Sequence, residues 1–131
     1  MKIENIKFRA KRLDNGEWVS GSLVRSTAGI KERAYIVDSF SSMSDYSVVG
    51  VDPSTVCQFT GLRDCEGKEI WEGDIVRDNY DLLCVDNFYE VVYIEKEGAF
   101  AFKSLDKVDN YEPFVNLFEA YVVGNKFDKE K

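Results

Sequence analysis

Apolar and polar positions alternate with a period near two along much of the chain, the pattern of strands that bury one face. In "IKFRAKRLDNGEWVSGSLV" Ile6, Phe8 and Ala10 alternate with basic residues, Asp14-Asn15-Gly16 supplies a reversal, and Trp18 to Val24 continues extended. A β-hairpin is predicted there. "RAYIVDSF" adds a β-rich run at Tyr35 to Val37, whereas "SSMSDYSVVGVDPSTV" reads as a polar loop in which Pro53 breaks any regular element. The stretch around residues 40 to 55 is the candidate seam between two lobes.

Residues 60 to 76, "TGLRDCEGKEIWEGDIV", hold two glycine reversals that separate apolar pairs. Ile70, Ile75 and Val76 are expected in the core, and the short acceptor side chain of Asp74, just after Gly73, suits bonding to nearby amides and fixing the turn. Beyond it, Leu82 to Val85, Tyr89 to Ile94 and Ala99 to Leu105 read as strands, with a turn at Lys96-Glu97-Gly98 and an alternating Phe100 and Phe102. Pro113 opens one helical turn, because Phe114, Leu117 and Phe118 fall at helical spacing, and Tyr121 to Val123 reads as a closing strand. The expected fold is mainly β, a β-rich α+β domain built as an antiparallel meander, with the tail KFDKEK frayed.

Composition narrows the function classes. A chain of 131 residues with 9 Phe, 7 Tyr and 2 Trp suits one domain over 1–131, with lobes at 1–50 and 51–131. No stretch approaches the roughly 20 apolar residues of a membrane span, and "MKIENIKFRAKR" has no continuous apolar region of a signal peptide, so a cytoplasmic location is expected. The absence of histidine removes Ser-His-Asp and Cys-His catalysis and His-assisted zinc sites. Cys57, Cys65 and Cys84 lack a CxxC spacing and are expected as reduced thiols, Cys57 and Cys84 as small core residues. Cys65 stands between Asp64 and Glu66, whose charges oppose a reactive thiolate.

Charge is unevenly distributed. Residues 1 to 60 carry 8 basic and 7 acidic side chains, a sum of +1, and residues 61 to 131 carry 9 and 17, a sum of −8. Such asymmetry suits steering toward a basic partner or a second copy and disfavours nucleic acid on the acidic half. The carboxylates Glu69, Glu72, Asp74, Asp78 and Asp81 form no DxDxDG-type loop, and turn and surface roles are expected for them rather than Mg²⁺ or Ca²⁺ binding. No cofactor is expected, and the glycines match no phosphate-binding pattern. Trp71, Tyr80, Phe88 and Tyr89 are the candidate interaction surface, because small β domains use such rings to hold peptides. Lys2, Lys7, Arg9, Lys11 and Arg12 are the candidate contacts of the alternative reading, a nucleic-acid-binding module.

Three separated blocks also resemble one family in order. "TVCQFTGLRDCEGKEIWEGDIV" is similar to the core signature of YopX-like phage and prophage proteins, "KFRAKRLDNGEWVSGSLV" to their amino-terminal pattern, and "EAYVVGNKFD" to their closing motif. Residues 26 to 50 match poorly, and Cys57 stands where that signature carries glycine, so no role needing close backbone approach is carried over there. The resemblance implies a mainly β protein with an SH3-like small barrel in its carboxy-terminal half, encoded by a phage or prophage and oligomeric. It supplies no catalytic residue. The expected function is therefore a non-enzymatic accessory role exerted through self-assembly and binding to a host or phage protein, without a membrane partner.

Overall fold

A computed structural model of the chain describes residues 2–27, 29, 31–37, 48–78, 87–105, 111–112 and 120–128. The fold is mainly β and antiparallel, and its helical elements among these residues are short 3-10 turns. The chain divides into two compact units, Met1–Phe59 and Thr60–Lys131, the division falling within one strand. No helix among the described residues is long and apolar enough to cross a membrane.

The first unit opens with a 3-10 turn at Ile3–Asn5 and continues through β1 (Phe8–Lys11), β2 (Trp18–Ser26), β3 (Arg33–Val37) and β4 (Val48–Val51). A second 3-10 turn at Pro53–Thr55 leads into β5 (Cys57–Arg63), whose first residues complete the order β4-β3-β2-β1-β5. The predicted hairpin is present: Phe8 pairs with Gly21 and Lys11 with Trp18, around a reversal in which Gly16 takes a φ of 74°. Alternation along β1 and β3 turns Ala10, Ala34 and Ile36 inward, where they meet Val19 and Val51.

One expectation fails in this unit. Val48–Val51, read as part of a polar loop, is a strand paired to β3 from Val48 opposite Val37 to Val51 opposite Ala34. Its Val-Val-Gly-Val run is β-branched enough to extend, and Pro53 falls beyond the last paired residue, where its missing N–H costs no ladder bond. Gly21 is required by close packing: a Cβ there would sit 2.1 Å from the Val37 carbonyl oxygen.

The second unit takes the end of β5 into a turn and back as β6 (Glu69–Trp71), then turns again into β7 (Asp74–Asp78). The two reversals expected within residues 60 to 76 are thus in place. β8 (Asn87–Ile94), β9 (Ala99–Ser104), β10 (Tyr111–Glu112) and β11 (Ala120–Asn125) complete a sheet of order β10-β9-β8-β7-β11. That order is open, and among the described residues it does not close into the SH3-like barrel that the resemblance implied. Ile70, Val76, Val91, Phe102 and Ala120 form the core of this unit, with Tyr89, Phe100 and Val122 packed against it. Ile75 is half-buried, because it alternates with Val76 along β7. The run Leu82 to Val85 and the turn after Pro113 lie outside the described residues.

Candidate functional site

The stretch richest in signature residues is assembled around buried hydrogen bonds. Asp74 is 1% exposed, and its Oδ2 accepts from the Trp71 N–H at 2.8 Å, which closes the reversal between β6 and β7. Its Oδ1 accepts from Asn125 Nδ2 at 2.9 Å, a partner 51 residues away at the end of β11. The same Asn125 amide lies 3.3 Å from the Glu72 carbonyl oxygen, and Asn125 Oδ1 accepts from the Phe127 N–H at 2.9 Å. Gly73 contributes backbone only: its N–H donates to the Val91 carbonyl at 2.7 Å and its carbonyl accepts from Lys126 N–H at 2.9 Å. With φ at 83° and a Cβ position only 3.3 Å from Asn125 Nδ2, Gly73 suits both the turn and the contact.

A second fastener sits one turn earlier. Asp64 Oδ1 accepts from the N–H groups of Glu66 at 2.9 Å and Lys68 at 2.8 Å, while its Oδ2 accepts from Val122 N–H at 2.9 Å. The neighbouring Cys65 N–H donates to the Ala120 carbonyl at 3.3 Å. Both acidic turns of the stretch are therefore tied to β11, so their carboxylates serve as acceptors for amides. Sequence reading finds the local role of Asp74 but misses its tie to Asn125, because nothing local marks a partner that distant.

The three aromatic candidates among the described residues, Trp71, Phe88 and Tyr89, do not form one surface. Trp71 is 5% exposed, which corrects the expectation that this ring is available at the surface. It ends β6 just before the reversal that Asp74 closes, and its side chain is packed inside. Tyr89 lies against the core, tilted toward Phe102 with ring centroids 6.1 Å apart. Phe88, the preceding residue in β8, turns to the opposite face and is 37% exposed. Tyr80 lies outside the described residues, as do Asp81 and Cys84.

The basic candidates separate into a row and two locally engaged side chains. Lys7, just before β1, alternates with Arg9 and Lys11 within it: Arg9 and Lys11 lie 4.6 and 5.2 Å from the Trp18 ring centre, and Lys7 lies 4.8 Å from that of Phe59. Arg12 instead grips Asp14 with two hydrogen bonds of 2.9 and 2.8 Å. That grip holds the exposed Asp14 carboxyl below its ordinary value, outweighing the opposing effect of desolvation. Lys2 pairs with Glu4 at 4.0 Å. Cys57 is buried and Cys65 exposed. Among the described residues no three acidic or thiol groups converge as metal ligands would.

An open pocket of about 280 Å³ in the first unit escapes sequence reading. Tyr35 stands opposite Gly50 on the paired strands β3 and β4, and the missing side chain at Gly50 leaves the space above the strand pair. Leu13, 70% exposed, and Pro53 line it with them, and Lys31, Glu32 and Arg33 add charge. Glu32 is bound to Arg25 at 2.6 Å, whereas Lys31 and Arg33 form no ion pair among the described residues. The glycine facing an aromatic residue is the signal, legible only once Val48–Val51 is known to be a strand.

No curated protein matches the chain. Among solved structures the chain is similar to protein EF1440 from Enterococcus faecalis, in its crystal structure, at 21% identity, with 92% of each chain covered and a TM-score of 0.52. At that identity the likeness is one of fold. The family model described as YopX protein matches residues 7–130, nearly the whole length, and the chain belongs to the YopX family.

Proposed function

We propose that the protein is a non-enzymatic accessory protein of phage or prophage origin that acts through self-assembly and binding to another protein in the host cytoplasm. The unlike charge of the two units carries this reading: the division near residue 60 separates a sum of +1 from a sum of −8. Such asymmetry of charge between the units steers and orients association between copies. The commitment of Asp64, Asp74 and Asn125 to hydrogen bonds between strands supports a scaffold role for the signature.

Size-exclusion chromatography with light scattering at low and high salt tests the reading. Species larger than 15.0 kDa at low salt, shrinking as salt screens the charges, are expected. A strict monomer at micromolar concentration under both conditions overturns self-assembly.

One observation favours a second reading, a nucleic-acid-binding module: Arg9 and Lys11 lie against the Trp18 ring on one face of β1, and Lys7, just before that strand, lies against Phe59. Fluorescence anisotropy with short single-stranded DNA and RNA separates the two, since phosphate contacts give an affinity that falls steeply with salt. Absence of binding at low salt removes this alternative.

A further inference from the structure

The pocket between Leu13, Tyr35, Gly50 and Pro53 has the bulk of a single ring rather than of an extended ligand: about 280 Å³ lies at the small end of ligand sites. Its surroundings specify a partner chemistry. The floor and walls are apolar or aromatic, and the two cations Lys31 and Arg33 have no counter-charge among the described residues, because Glu32 is occupied by Arg25. An aromatic group accompanied by carboxylates answers both requirements.

The second unit presents such a group. Tyr93, 45% exposed, stands near the end of β8, with its ring edge-on against Phe100 at 5.2 Å. The chain then reverses through Glu95, Lys96 and Glu97 to Gly98, whose φ of 62° and N–H bond to the Ile94 carbonyl at 2.8 Å make the turn tight. Glu95 and Glu97 are exposed, and the Tyr93 hydroxyl lies over the glycine, 3.8 Å from its Cβ position. The ring and the two carboxylates therefore share one hairpin tip. The other exposed large apolar groups among the described residues of this unit do not combine the two features: Leu62, Leu105 and Val123 carry no ring, and Phe88 faces Arg77 across the strand pair.

We infer that the pocket of the first unit receives Tyr93 from the β8–β9 hairpin of a second copy, with Glu95 and Glu97 set against Lys31 and Arg33. This rests on the self-assembly reading and names its receptor and its occupant. The ring supplies the anchor, and the charge pairs supply orientation and salt sensitivity.

Sedimentation velocity over a concentration series of the full chain tests it. Gly50 accepts a side chain without backbone strain, since its φ lies outside the left-handed region and a Cβ meets only Leu13 Cδ1 at 3.7 Å. Gly50→Leu therefore fills the pocket and is expected to weaken self-association by about tenfold or more, with its fold checked by circular dichroism. Arg33→Glu, a surface change that keeps the inference testable if Gly50→Leu does not fold, is expected to weaken association as well. Combination with Glu97→Arg is expected to restore it. Weakening by Arg33→Glu without recovery in the double variant overturns the hairpin as occupant. Association unaffected by either single variant overturns the pocket while leaving self-assembly intact, and a wild-type monomer overturns both.

Discussion

The two units bring their strands together by different means. In the first, β1, β2, β3 and β4 pair in chain order, so most of the register is set between strands that follow one another, and only the start of β5 returns across the chain to β1. In the second, the last strand must find β7 across a long stretch of chain, and Asp64, Asp74 and Asn125 fasten it there through bonds spanning 51 and 58 residues. Closure of a long loop is entropically costly, and a slip of one residue would turn every side chain of β11 to the wrong face. Buried acceptors that recognise particular amides penalise that slip. The difference teaches that local pattern suffices where neighbours pair, whereas distant pairing takes specific polar fasteners, and two blocks carrying the family resemblance supply them.

If that is right, the largest loss comes from Asp74. Asp74→Ala leaves the Trp71 N–H and the Asn125 amide without their acceptor in a buried setting, and is expected to cost about 3 kcal/mol in urea unfolding. Asn125→Ala is expected to cost ~2 kcal/mol, and the double variant less than the sum by at least ~1 kcal/mol, because both remove one bond. Strict additivity would break the comparison at its strongest point.

How far the sequence carries follows from the same division. The amino-terminal hairpin, the β3 run, the two reversals of residues 60 to 76 and the β8–β9 turn were legible, each being written within a few residues of itself. β4 was not, because two valines, a glycine and a valine beside Pro53 offer the period of a strand but the punctuation of a loop, and pairing to β3 decides it. Burial of Trp71 was illegible for a related reason: Ile70 before it already claims the core face of an alternating strand and the polar Glu72 follows, so only the enclosed turn reveals where the ring goes. The signature could be recognised as a signature, yet its long bonds to Val122 and Asn125 belong to the topology. The pocket depended on β4 and was lost with it.

A long-range side-chain tie in the first unit sharpens the comparison. The Lys11 N–H donates to Thr55 Oγ1 at 2.9 Å across 44 residues, and that hydroxyl donates to the Asp52 carbonyl at 2.7 Å. The adjacent backbone bond from Asp52 N–H to the Lys11 carbonyl, at 2.9 Å, already fixes the alignment. Thr55→Val is therefore expected to cost only ~1 kcal/mol, with the Lys11 amide exchanging faster by hydrogen-exchange mass spectrometry or NMR. A loss equal to that of Asp74→Ala would show that the first unit depends on distant fasteners as much as the second.

The smallest effect belongs to the carboxylate that most resembles Asp74 in its local position. Asp14 also occupies a reversal, but it is solvent-exposed and bound to the charged Arg12 instead of to buried amides. Because the Arg12 hydrogen bonds lower its folded-state pKa below the ordinary 3.8, its contribution is present above that value and fades as pH falls through the lowered one. Asp14→Asn is thus expected to differ slightly from the parent at neutral pH, with the difference fading as pH falls below 3.8 and shrinking also in ~1 M salt, where screening is short-ranged. Urea unfolding across that acid range measures it. A difference independent of both pH and salt would mean that the Asp14 side chain acts as Asp74 does, through neutral hydrogen bonds, and that exposure does not separate the two turns.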